Sequence, residues 1–116
     1  MQIQINTDHN IEAHEALITQ VSNLVENTLS RLDEHITRVE VHLSDENGSK
    51  NHPNDKRCII EARLKGRQPV AVTNEASDLI DAVEGAAEKL VRMLESTLGK
   101  LQEHNNHSKN TESHSL

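Results

Sequence analysis

The chain has no phenylalanine, tryptophan or tyrosine in its 116 residues. Proteins that hold single-stranded nucleic acid usually stack its bases on aromatic rings, so a base-stacking sheet is excluded. There is one cysteine. It cannot close an internal disulfide, which fits a reducing cytoplasm. No apolar run approaches the length of a membrane span, so no transmembrane helix is expected. Met1 opens into polar, strand-like sequence without a basic start, an apolar middle or a cleavage site, so no secretory signal is expected. Cations are in the minority. Twelve Lys and Arg stand against 19 Asp and Glu, a net charge of -7. Long-range repulsion from phosphates is the starting expectation, and DNA is not an expected partner. Also missing are a glycine-rich phosphate loop, a nucleophile elbow and a paired-carboxylate motif. The chain reads as no enzyme, with no cofactor and no metal.

What is present suits one small soluble domain, since 34% hydrophobic and 27% charged residues can fill a single two-layer core. Gln2 to Asn6 alternates, with Ile3 and Ile5 on one face, and predicts a strand. From about Ile11 to Leu32, Ala13, Leu17, Val21, Leu24, Val25, Leu29 and Leu32 recur at helical spacing. Ile36 to Ser44 returns to period two, placing Val39, Val41 and Leu43 inward and Arg38, Glu40 and His42 outward. Asp45 to Asp55 reads as a polar loop broken by Gly48 and Pro53.

Lys56 to Lys65 predicts a further strand, with Cys58, Ile60, Ala62 and Leu64 on the inner face. Gly66 and Arg67 make a tight connection to a short strand, Gln68 to Thr73, whose Pro69 suits a sheet edge. Glu75 to about Gln102 carries the longest helical stripe: Leu79, Val83, Ala86, Leu90, Leu94, Leu98 and Leu101. Asn74 is its expected N-cap. Residues 104–116 have almost no apolar content and are expected to be disordered, leaving a domain at 1–103. His104, His107 and His114 in that tail lack fixed geometry and read as incidental.

The order is strand, helix, three strands, helix. A helix between the first two strands makes a right-handed crossover and a parallel pair, and the remaining strands can meander. The prediction is an α+β fold, a two-layer β-α-β-β-β-α sandwich. It has a four-stranded mixed sheet and two helices on one face, like a double-stranded RNA-binding domain with a leading strand. A sheet edge or the open face can pair two copies weakly.

Two groups of cations stand out. Lys89, Arg92 and Lys100 fall on one side of the last helix at 100° per residue, away from the Leu/Val stripe. The segment from Lys56 to Arg67 holds five basic residues (Lys56, Arg57, Arg63, Lys65, Arg67) and one Glu, a local charge of +4. Each has a plain reading. Cations late in a helix complement its dipole, and those on strands pair with Glu40 and its neighbours. Cys58, inward on a central strand, reads as a buried inert thiol.

The ordered set Ile3-Gln4-Ile5, Arg38-Val39-Glu40-Val41-His42-Leu43 and Ile60-Glu61-Ala62-Arg63-Leu64 resembles a known family. So do Asp78-Leu79-Ile80-Asp81-Ala82-Val83 and Lys89-Leu90-Val91-Arg92-Met93-Leu94. The family is that of the bacterial ribosome hibernation-promoting factors and ribosome-associated inhibitors, also called ribosomal subunit interface proteins or sigma-factor modulation proteins. The resemblance covers roughly residues 1–101. It implies a non-enzymatic cytoplasmic factor that binds rRNA and proteins of the small ribosomal subunit near the decoding centre and stores idle ribosomes under stress. It implies rRNA contacts at Lys89, Arg92, Lys100, Arg31, Arg63, Lys65 and Arg67. The outer face of the first helix is acidic or neutral, with only Arg31 near its edge. That face and the net charge of -7 motivate a second expectation, a protein-interaction module of the same fold without rRNA binding.

Overall fold

The computed structural model describes residues 1–46 and 55–109, with side chains described up to Gly99. The chain runs β1 (Gln2–Thr7), α1 (Glu15–Leu29), a 3-10 helix (Ser30–His35), β2 (Ile36–Asp45), β3 (Lys56–Leu64), β4 (Val70–Ala76) and α2 (Leu79–Lys109). The sheet order is β1-β2-β3-β4. β1 and β2 are parallel, with Gln4 opposite Glu40. β2–β3 and β3–β4 are antiparallel, with Val41 opposite Ile60 and Ile60 opposite Val72. This is the expected α+β sandwich, with α1 making the crossover and both helices on one face.

The core is what the two periodicities dictate. Val39, Val41 and Leu43 of β2 and Cys58, Ile60 and Ala62 of β3 are buried against Val21, Val25 and Leu29 of α1 and Val83, Ala86, Leu90 and Leu94 of α2. Burying a side chain such as Ile60 or Leu90 contributes roughly 1.5–3 kcal/mol. With no aromatic ring to fill the layer, aliphatics of similar length do it. Alanines at 82, 86 and 87 give α2 a smooth inner surface.

The helix boundaries differ from expectation, for local reasons. α1 starts at Glu15, later than Ile11, because Asp8 first closes a turn: its carboxylate accepts from Asn10 N at 3.0 Å and its carbonyl from Ile11 N at 3.2 Å. His14 is the N-cap, its Nδ1 accepting from Leu17 N at 3.2 Å. Ala13 is therefore exposed and outside the helix. α2 starts at Leu79, not Glu75. β4 extends through Ala76, and Asp78 accepts from Ile80 N at 3.1 Å. Asn74 is thus a strand residue and not a cap.

The backbone of residues 104–109 continues α2 where a disordered tail is expected. No glycine or proline interrupts that stretch, and extending a formed helix costs far less than nucleating one. The loop expected between Asp45 and Asp55 lies mostly outside the described residues, as do positions 110–116 of the expected tail. No helix among the described residues is long and apolar enough to cross a membrane.

Candidate nucleic-acid interface

The cations of the β3–β4 region divide into neutralised and unpaired groups. Lys56 sits between Asp45 at 3.3 Å and Asp55 at 3.1 Å. The hydrogen bond to Asp55 comes first in raising its pKa, against a smaller lowering from burial. Arg57 lies 2.9 Å from Glu75 and 4.0 Å from Glu46. The Glu75 hydrogen bond is the main cause of its raised pKa. Asp55 adjoins the segment in sequence, while Asp45, Glu46 and Glu75 reach it through the fold, so the local +4 overstates the free charge.

Arg63, Lys65 and Arg67 are different. All three are exposed, and none makes an ion pair among the described residues. Arg63 closes the outward row of β3 opposite Arg38 of β2. Arg38 is itself held by Glu40 at 3.1 Å and donates to Gln4. Lys65 and Arg67 flank Gly66, whose φ of +66° is the left-handed conformation that makes the turn tight. The turn backbone and Thr97 of α2 border a shallow open groove lined by Lys65, Arg67 and Gln68.

The α2 row is split. Lys89 turns to the sheet side, its Nζ donating to Thr73 O of β4 at 2.9 Å. Arg92 instead borders a groove between α1 and α2, with Asn27, Arg31, Glu88 and Glu95. There Arg31 is paired with Glu95, and Glu88 and Glu95 stand one helical turn either side of Arg92. That groove holds two cations and two anions and is close to neutral. The Lys100 side chain lies outside the described residues.

Among the described residues no cluster of three or more His, Cys, Asp or Glu is arranged to hold a metal. Cys58 is fully buried, and burial pushes its thiol pKa up to about 12, the opposite of an activated nucleophile. Thr97 as a groove wall is not legible in the sequence, because it depends on where the β3–β4 turn meets α2. Asp78 carries a sequence signal, an N-cap type directly before an apolar helical run, but Asn74 carries a competing one.

A family model described as "Sigma 54 modulation protein / S30EA ribosomal protein" matches residues 3–102. No curated protein sequence matches the chain. Among solved structures, the chain is similar to the N-terminal domain of Protein Y from Thermus thermophilus. That likeness has 26% identity and a TM-score of 0.62, and covers 84% of this chain and 99% of the other. A ribosomal subunit interface protein from Coxiella burnetii shares 21% identity at a TM-score of 0.59, over 88% of this chain and 98% of that one. At that identity the likeness speaks for the fold alone.

Proposed function

Since the chain belongs to the sigma-54 modulation / S30EA ribosomal protein family, a family of ribosome-associated factors, we propose that it binds the small ribosomal subunit near the decoding centre and holds idle ribosomes in store under stress. It does so as a rigid cytoplasmic body without catalysis. The observation that carries the reading is the unpaired cationic end of the sheet: Lys65 and Arg67 beside Thr97 of α2, with Arg63 exposed on the open face of β3. Phosphate contacts by such side chains position a protein on RNA without reading its bases. That suits a domain with no aromatic residue. Lys89, Arg92, Arg31 and Lys100 are proposed as secondary contacts, the first two still exposed. Two copies associate weakly when free.

The test is co-sedimentation with purified small subunits on a sucrose gradient. The wild-type chain is expected in the subunit fraction. A Lys65→Glu/Arg67→Glu variant is expected at the top, and a Lys89→Glu/Arg92→Glu variant in between. If wild type stays at the top, or all three migrate alike, the reading fails.

A second reading has its own observation. The Arg31–Glu95 pair and the two glutamates around Arg92 neutralise the α1–α2 groove, and α1 presents Glu15, Thr19, Asn23 and Glu26 outward. A protein-interaction module of the same fold would show this helix face. Its retention on a partner would be insensitive to the charge-reversal variants.

A further inference from the structure

The two edges of the sheet are finished differently. Along β4, Lys89 Nζ donates to Thr73 O at 2.9 Å, and Asn74 Nδ2 reaches Ala82 O on α2 at 3.2 Å. Pro69, with no amide hydrogen, stands directly before the strand. Lysine, proline and helix cover are the devices that stop a strand edge from pairing further. β1 has neither the lysine nor the proline. Gln2–Thr7 contains no charged residue and no proline, and among the described residues it pairs on one side only, with β2. The chain leaving it turns to the β2 side: Asp8 N donates to Leu43 O at 3.0 Å and Asn10 Nδ2 to Asp45 O at 3.3 Å.

We propose that the free edge of β1 pairs antiparallel with β1 of a second copy about a two-fold axis at Gln4, joining two four-stranded sheets into one. The proposal gives a surface and a register to the weak self-association put forward above, and rests on that reading. A two-fold contact must match itself, and Gln2-Ile3-Gln4-Ile5-Asn6 does so about its centre. Gln4 meets the partner's Gln4, and Gln2 meets the partner's Asn6. Both pairs are amides able to donate and accept with their own kind. Ile3 meets the partner's Ile5 on the inner face, where each is half-buried against the core. Two bodies of charge -7 repel, and a seam free of like charges adds no repulsion of its own where they meet. A foreign peptide could use the same backbone row, but Gln2–Thr7 carries no charge to select one. A second copy is selected by the alternation itself.

Six residues bury far less than the ~1,200–2,000 Å² of a stable interface, so the association is weak and depends on concentration. Sedimentation equilibrium of the full chain, carried to about 1 mM, reads it directly. The wild type is expected to shift from monomer toward dimer, more so in salt, which screens the repulsion. Gln4→Lys places two ammonium groups at the axis and is expected to weaken dimerisation about tenfold or more. Gln2→Lys/Asn6→Glu sets opposite charges across both ends of the seam and is expected to tighten it. In hydrogen exchange, β1 amides gain protection with concentration and β4 amides do not.

A monomer at every concentration overturns both the edge and the self-association. A wild-type dimer that Gln4→Lys leaves unchanged overturns the edge alone. Small-subunit co-sedimentation of Gln4→Lys is expected to match wild type, so neither result bears on ribosome binding.

Discussion

Cys58 ties the packing of one residue to a measurable pH response. Its thiol lies in the centre of the sheet, opposite Leu43 and Asn74. Burial holds its pKa at about 12 in the folded chain, against an ordinary value of 9.0. The folded state therefore keeps a proton that the unfolded chain releases. This contribution to stability is complete below pH 9.0 and is lost as pH rises toward about 12, at roughly 1.4 kcal/mol per pH unit. Urea denaturation across that range is expected to show the slope, and Cys58→Ala to remove it while lowering stability at neutral pH. A thiol reagent is expected to react only as the protein unfolds. Lys56 adds loss in the same direction at the alkaline end, since its raised pKa means a cation held by Asp55 and Asp45 until it deprotonates. The buried thiol was legible from the alternation of β3. The acids around Lys56 were legible only as residues of a loop.

At the scale of elements, the join between β4 and α2 decides where both end. Asn74 belongs to β4 but its side chain crosses to Ala82 O at the start of α2. Gly85 leaves room for it: a Cβ at that position would lie 2.2 Å from Asn74 Nδ2. Gly85→Ala thus has two opposed effects. Removing a helix-interior glycine favours folding by about 1 kcal/mol. Displacing Asn74 loses a hydrogen bond worth about 0.5–1.5 kcal/mol. The single variant is expected to be near neutral by thermal or urea denaturation. In an Asn74→Ala background, Gly85→Ala is expected to stabilise by about 1 kcal/mol, and a cycle without coupling would show that the two do not meet. The same join explains the boundary errors. Asn74, Glu75, Asp78 and Asp81 all suit a helix start, so sequence alone places it ambiguously. The choice falls to the ladder with β3, which holds Asn74 opposite Cys58 and Glu75 opposite Arg57. Strands were read well because their inner residues face one continuous core. Cap positions were read poorly because several residues near each helix start can cap, and short local hydrogen bonds together with the β3–β4 ladder choose among them.

For the whole molecule, the question is how an acidic body presents a basic end. The cations were legible as residue types, but their pairing was not: Arg57–Glu75 and Arg31–Glu95 join separate elements, and neither pair has a sequence signature. Pairing leaves Arg63, Lys65 and Arg67 as a group at one end of the sheet, while Lys89 is tied to β4 and Arg92 sits between glutamates. If those three cations neutralise rRNA phosphates, salt and charge should act with a definable slope. Three contacts correspond to a fall in affinity of roughly 20- to 40-fold between about 50 and 200 mM monovalent salt. Small-subunit binding measured by filter retention across that range is expected to follow it. The Lys65→Glu/Arg67→Glu variant is expected to bind weakly with a much flatter dependence. The proposed self-association through β1 is expected to respond in the opposite sense, because salt screens two negatively charged bodies without touching an uncharged seam. If both proposals hold, salt is expected to act as a single variable that moves the chain from dimer to bound state as it falls. A binding curve that is flat in salt would remove the phosphate contacts and leave the neutral α1–α2 face as the docking surface.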